Sequence, residues 1–442
     1  MTPSAPIWYE AQPPPYPRFP GGRQRVDVAV IGGGFAGLSA AYHLLRRQPG
    51  IRVVILEAER LGAGASGRTT GMLGPGVGQN LAAVVRRFGT ARTQALYRAT
   101  LQAIDDVHAL IVTEGINCQL EMNGQIIVAR SHAGRRRVAA TAALLQQLAL
   151  PGELLDDESL SRVISLASHD DGRRNGPAAL RLPTAGTLHP MQLIAGLAER
   201  VTARGGTIFE GARVLDIGRG QPVQLTLAGG GTVEADSVVV ATAGYTPNLG
   251  LLRGRLLPVH LQVLVTEPLT TDQHQQIGWA GREGIVEARR VFNYFRLTAD
   301  NRIVFGGGSP RYCWGGRTQD MKQSVSALTR LTHELHHTFP VETALRVAGG
   351  WTGVIGYTID TLPAIQRARE NPAVIHVVGW CGHGVALSLA SGAWVSHMLY
   401  DNAVPEDLPW YRNNPPLVPF EPIRWIAFRT GVGIMSLQDR LE

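Results

Sequence analysis

A chain of 442 residues with 44% hydrophobic content can bury a large core, and two domains suit that length better than one. Its net charge of +7 could serve nucleic acid, but the cations are almost all arginine, with Lys322 the single lysine, and they are scattered in short clusters such as Arg135-Arg136-Arg137. A nucleic-acid-binding face is therefore not expected. The three cysteines (Cys118, Cys313, Cys381) stand far apart without metal-ligand spacing, which argues for a reducing compartment and against a disulfide framework or a metal site.

Residues 1–24 read as an extended, Pro-rich arm carrying Trp8. Val26, Val28, Val30 and Ile31 then form a buried strand, and Leu38, Ala40, Ala41, Leu44 and Leu45 one face of a helix, with Gly32-Gly33-Gly34-Phe35-Ala36-Gly37 between them. In such a turn Gly32 permits the tight bend, Gly34 lets backbone approach a pyrophosphate, and Gly37 lets the helix pack on the strand. The helix N-terminus offers N–H groups and partial positive charge to phosphates. Glu57, closing a second strand Arg52–Glu57, is placed to accept from both ribose hydroxyls and to repel a 2′-phosphate. Strand, turn, helix, strand and acid together predict a dinucleotide site. The run that follows contains Ala58, Arg60, Ala65, Ser66, Gly67, Arg68 and Thr70. Its small residues let backbone amides crowd an extended ligand, and its hydroxyls can meet phosphate or ribitol oxygens.

A helical stretch, Leu81–Gly115, a strand, Gln125–Ala129, and a helix, Arg137–Leu148, carry no nucleotide chemistry and read as part of a substrate domain. His189-Pro190 starts a helix Met191–Arg204 closed by Gly205-Gly206. Short strands follow over Ile208–Ile217 (with Val214), Val223–Leu227 and Thr232–Ala235. The buried run from Ala235 ends in small residues, among them Ala243 and Gly244, where backbone is expected to meet the cofactor. Arg290–Leu297 and Arg302–Gly306 form a hairpin around Ala299-Asp300-Asn301, and Lys322–Phe339 a long helix. Strand Val374–Val378, the turn Gly379-Trp380-Cys381-Gly382-His383-Gly384 and a helix Val385–Leu399 repeat the strand–turn–helix pattern without a following acid. This helix N-terminus could face the N1–C2=O edge of a flavin. No second full fingerprint for a nicotinamide dinucleotide occurs, so FAD is the expected cofactor. The expected fold class is α/β: a Rossmann-like FAD-binding domain (25–82, 184–254, 344–400) interleaved with an α+β substrate domain (83–183, 255–343) carrying an antiparallel sheet. A tail, 401–442, follows, whose apolar stretch Ile423–Leu437 is broken by Arg424 and Arg429. It is expected to dock on its own protein rather than on a membrane surface. The first twenty residues lack the apolar core of a signal peptide, and no stretch holds the roughly 20 apolar residues of a spanning helix; a soluble cytoplasmic protein is expected.

The run Ile31 to Tyr42, then Gly64-Ala65-Ser66-Gly67-Arg68, then Gly382-His383-Gly384 resemble the D-amino-acid oxidase superfamily, which includes glycine oxidase, sarcosine oxidase and γ-glutamylputrescine oxidase. The γ-glutamylputrescine oxidase-like branch is the most similar. It shares the Pro-rich arm with a Trp, a Thr-Glu-Pro-Leu (Thr266 to Leu269), and a W-x-G…T-x-D-x-x-P pattern at Trp351, Gly353, Thr358, Asp360 and Pro363. The resemblance runs nearly end to end. It implies oxidation of a primary or secondary amine: a hydride passes to flavin N5, the imine is hydrolysed to a carbonyl, and O₂ reoxidises the flavin with release of H₂O₂.

No acid–base constellation is required if the amine binds deprotonated, and none is evident. Tyr294, Trp351, His383 and Val385 are expected near the reacting carbon and the flavin. Alternation places Phe292, Tyr294 and Arg296 on one strand face, which is either an aromatic wall for an alkylamine or an ordinary sheet face. His383 offers either its ring or only its backbone N–H. The chain also departs from its relatives. Val354-Ile355-Gly356 replaces the Arg-Pro that grips a carboxylate in glycine oxidase-like members. No Cys lies between Trp351 and Pro363, so FAD is expected to be non-covalent. Ala386 stands where sarcosine oxidase-like members have a Lys after the Gly-His-Gly turn, which leaves open a dehydrogenase using another electron acceptor. A hydroxy acid or other non-amine donor, and a non-catalytic flavoprotein subunit, are the competing readings.

Overall fold

A computed structural model describes residues 3–78, 80–167, 176–319, 321–401, 410–411 and 414–441, without the side chains of 321–324. The side chain of Lys322 thus lies outside the described residues. The first sheet is built on parallel strands in the order Val374–Val378, Thr232–Val240, Arg23–Ile31, Val53–Leu56, Thr207–Phe209. Ala364–Arg367 adds an antiparallel edge, and Val223–Leu227 with Val214–Ile217 forms an antiparallel flap beside Thr232–Val240. The parallel strands are buried on both faces, so they read as continuous Val/Ile runs rather than alternating ones. Helices Phe35–Arg47, Pro190–Ala203 and Gly384–Tyr400 cover one face. Ser39 Oγ donates to the Leu389 carbonyl between two of them, and a Cβ on Gly392 would lie 2.3 Å from the Ser39 oxygen. These two helices therefore meet backbone to backbone.

The second sheet runs Val347–Tyr357, Leu257–Thr266, Ile303–Tyr312, Tyr294–Leu297, Gly284–Glu287, Gln125–Val128, Ala179–Leu182, Glu153–Leu155. Its pairs are antiparallel apart from Gly284–Glu287 with Gln125–Val128. Helix Met321–Thr338 packs Leu328, Leu331 and Leu335 against Phe295, Phe305 and Phe339; the first two of these rings stack at 5.2 Å.

Several boundaries differ from the sequence reading. Val347–Tyr357 was expected in the FAD-binding half, but it pairs with Leu257–Thr266 in the second sheet. Its glycines and single aromatics suit either sheet, and only the distant partner decides. The hairpin strand begins at Tyr294, leaving Arg290–Asn293 as a loop, because the Glu287 carboxylate accepts the Asn293 N–H and Asp439 accepts those of Arg290 and Val291. The 81–115 helix is two helices, Leu81–Phe88 and Thr90–Thr113, broken at Gly89, whose φ is +78. The Pro-rich arm contains a short 3-10 turn, Ile7–Ala11, that buries Trp8. The tail forms a helix, Ile423–Leu441, lying on Ile303–Tyr312.

Candidate active site

Gly32 ends the first strand with φ +109, and a Cβ there would stand 2.8 Å from the Ala241 oxygen. A Cβ on Gly37 would stand 1.9 Å from the Gly32 oxygen, so the nucleotide helix and strand touch only because both residues are glycine. Gly34 has a different local reason. Ser66 Oγ accepts the Phe35 N–H at 3.0 Å, and a Cβ on Gly34 would meet that same hydroxyl at 2.8 Å. The space expected for a pyrophosphate is thus shared with the serine that caps this helix. Glu57 is held by the N–H groups of Gly33 at 2.7 Å and Glu59 at 2.9 Å. Burial pushes its pKa up, and those two donors pull it back.

The small-residue loop after Glu57 is pinned from two sides. The Trp351 indole N–H donates to the Arg68 carbonyl, and that of Trp8 to the Thr69 carbonyl, each at 2.8 Å. Arg68 itself donates to the carbonyls of Ala63 at 2.8 Å and Thr352 at 3.1 Å. At the far end of the site, Cys381 and Gly382 both have positive φ (50 and +94), and His383 sits at the N-cap of helix Gly384–Tyr400. Burial lowers the pKa of His383 to about 4 and raises that of the Cys381 thiol to about 11. His383 Nδ1 has no hydrogen-bond partner among the described residues. Burial thus favours the neutral ring, and Nδ1 is left without a described partner.

One cavity of about 640 Å³ joins these parts, within the range of small-molecule and cofactor sites. Of the predicted residues, Gly34, Phe35, Ala36, Ala65, Ser66, Arg68, Thr70, Ala243, Gly353, Gly382, His383, Gly384, Val385 and Tyr294 line it. Strand alternation holds at Tyr294 and Phe295: Phe295 enters the core beneath helix Met321–Thr338, while Tyr294 faces the cavity. The Tyr294 ring lies over Gly306, where a Cβ would be 2.4 Å from it, and burial raises its hydroxyl pKa to about 12. Phe292 joins it from the loop.

The remaining predicted residues stand behind the wall. Gly32, Gly37, Gly67 and Gly244 make close backbone packing; a Cβ on Gly244 would lie 2.8 Å from the Ile355 oxygen. Glu57 and Ala58 begin the loop beyond the second strand. Arg60 pairs with Glu210 at 2.8 Å and donates to Pro13. Val214 is buried in the core on the opposite side of the sheet. Trp351, expected among the reacting groups, is fully buried and acts through Arg68 as a positioning residue. Arg296 shares Tyr294's face but donates to the Leu188 carbonyl at 2.8 Å beneath the Trp8 ring, outside the cavity. His189 caps its helix by accepting the Gln192 N–H at 3.2 Å.

Sequence reasoning missed much of the lining, including the following residues. Gly74–Gly78 was signalled by its glycines, and a Cβ on Gly76 would lie 3.3 Å from His383 Nε2. Arg137 comes from helix His132–Gln147, and Arg289 and Arg290 from the loop between strands Gly284–Glu287 and Tyr294–Leu297. Phe428, Val432 and Met435 come from the C-terminal helix, whose apolar character was noted without its destination.

Comparison with known proteins agrees with this architecture. Residues 27–398 match the family model described as FAD dependent oxidoreductase, DAO. The chain is similar to gamma-glutamylputrescine oxidoreductase of Escherichia coli (strain K12), 28% identical over 425 residues covering 94% of this chain and 93% of that protein. Among solved structures, glycine oxidase from Geobacillus kaustophilus superposes with a TM-score of 0.70 at 20% identity, covering 88% of this chain and 99% of that one. L-proline dehydrogenase from P. horikoshii gives 0.68 at 17% identity, with 88% and 97% covered. With its two-sheet architecture, glycine-turned nucleotide helix and matching family model, the chain belongs to the DAO family of FAD-dependent oxidoreductases.

Proposed function

We propose that this protein oxidises a primary or secondary amine to an imine, which water then hydrolyses to a carbonyl compound. The observation that carries this reading is the cavity itself: the aromatic pair Phe292 and Tyr294 shares it with the Gly382–Val385 turn and the first turn of the nucleotide helix. The residues fit FAD held non-covalently. Gly34, Phe35, Ala36, Ser66, Arg68 and Thr70 would hold the phosphates and ribitol, with the uncommitted Nδ1 of His383 and the amides of Gly384 and Val385 beside the ring system. Bound FAD supplies the acceptor for the hydride that leaves the carbon next to nitrogen.

The chain's own groups favour a neutral amine. Glu287 is the one carboxylate among the described lining residues, and it is engaged by Arg130 at 2.5 Å and by Asn293. An ammonium ion would be desolvated there without a free counter-charge, so the amine binds neutral, with its lone pair available to expel hydride. Phe292 and Tyr294 hold its carbon skeleton, and the neutral Tyr294 hydroxyl can hydrogen-bond the nitrogen. The name of the Escherichia coli relative, which specifies an amine, supports the donor class. For the acceptor, Ala386 in the lining offers no cation after the Gly-His-Gly turn, which favours an acceptor other than O₂.

Anaerobic addition of an amine panel to the yellow protein is expected to bleach the flavin band, whereas bleaching only by hydroxy acids, or by no donor, would reject the amine reading. Admitting air and measuring H₂O₂ separates oxidase from dehydrogenase. Tyr294→Ala should raise KM more than it lowers kcat, because it removes contact with the substrate skeleton.

A further inference from the structure

The C-terminal helix Ile423–Leu441 has two dissimilar faces. Inward, Phe428 packs on Tyr312 at 5.8 Å, Val432 and Met435 wall the cavity, and buried Asp439 accepts the N–H groups of Arg290 and Val291 at 3.1 and 2.8 Å. Outward, Ile426 is 53% exposed, Ile434 52%, Leu437 56% and Leu441 78%, and Phe420 just ahead of the helix is 69% exposed. A soluble face seldom gathers large apolar side chains in this way, and such patches mark protein or membrane contact.

Charge decides between the two. Arg429, stacked over Trp425 at 4.5 Å, and Arg440 stand exposed beside the apolar ridge. The carboxylates nearby are turned away: Asp439 faces Arg137 and Arg290 at 3.3 and 3.6 Å, and Glu421 accepts from the Tyr312 hydroxyl at 2.6 Å. Among the described residues of the helix no acidic side chain joins the outer face. A second copy of a chain with net charge +7 would bring like charges together, whereas anionic headgroups would complement them. Among the described residues no helix is long and apolar enough to cross a membrane, so a helix of this kind would lie flat. We propose that the outer face of the C-terminal helix docks the protein on an anionic lipid surface, with Ile426, Ile434 and Leu437 sunk below the headgroups and Arg429 and Arg440 among them.

The test is flotation of the full-length, FAD-loaded protein with vesicles of phosphatidylcholine containing roughly a third phosphatidylglycerol. Wild type is expected to float with these vesicles and to bind pure phosphatidylcholine about tenfold less. Ile426→Glu/Leu437→Glu should stay at the bottom while keeping its flavin absorbance and helical circular dichroism. Wild type that fails to float overturns the proposal, as does a double variant that floats equally well. Light scattering without lipid is the further arm: a wild-type dimer that the double variant reduces to monomer would assign the face to a second copy instead.

Discussion

Gly37→Ala probes the joint on which the cofactor site is built. The added methyl carbon would lie 1.9 Å from the Gly32 oxygen, 3.1 Å from its carbon and 3.2 Å from Val30 Cγ1. Two of the three atoms are backbone and cannot swing aside. Restoring ordinary contact near 3.5 Å requires the helix to retreat by about 1.5 Å. Overpacking of this kind costs about 1–3 kcal/mol in stability. The retreat also carries Phe35 and Ala36 away from the cavity, and each charge-assisted N–H bond to a phosphate so lost costs about 1.5–3 kcal/mol. One such bond corresponds to FAD binding weakened about 10- to 150-fold. The assay is titration of FAD into the stripped protein, followed by quenching of flavin fluorescence. Gly229→Ala is the control, since a Cβ there meets nothing within 4 Å and the backbone conformation is ordinary. FAD affinity in Gly37→Ala within threefold of wild type would refute the idea that this contact sets the helix position.

Two further outcomes follow from the same geometry. His43, His189, His376 and His383 are each lowered to about 4 by burial. As pH falls below about 6.5 the unfolded chain takes up protons that the native side chains refuse, so stability declines between roughly pH 6.5 and 4. The decline is at most about 1.4 kcal/mol per pH unit for each of His43, His376 and His383, and less for the half-buried His189, where solvent screens the charge. Urea unfolding midpoints should drop clearly from pH 7 to pH 5, and His383→Asn should make that drop shallower; a midpoint indifferent to pH contradicts the burial argument. Trp351→Phe and Trp8→Phe each remove one N–H bond to the loop that carries Arg68 and Thr69, worth about 1 kcal/mol. Flavin should leave each variant about fivefold faster in stopped-flow release, with the substrate KM unchanged.

Legibility from sequence tracked locality. Gly32 to Gly37, Ser66, Arg68 and the Gly382–Val385 turn could be read because the glycine pattern and the flanking strand and helix periodicities sit within one short window. Strand alternation separated Tyr294 from Phe295, but which face meets the cavity stayed open in the sequence, and Arg296 on Tyr294's face lies outside it. What escaped depended on distant pairing. Val347–Tyr357 carries no mark that it hydrogen-bonds with Leu257–Thr266, and nothing near Phe428 announces that its helix returns to the cavity. Trp351 misled for a related reason. A large aromatic in a patterned segment looks like a wall, and only the carbonyl of Arg68 reveals it as a prop.

The passage of the chain between the two sheets bears on how the molecule can come apart. Thr232–Val240 and Val374–Val378 are hydrogen-bonded neighbours in one sheet, yet the segment between them supplies five consecutive members of the other, from Leu257–Thr266 to Val347–Tyr357. No single cut leaves the two sheets on separate fragments, because all strands of the second lie between the first and last strands of the first. Loosening either half removes covalent restraint from the other, so nicking by a protease should scatter the structure rather than release a self-sufficient lobe.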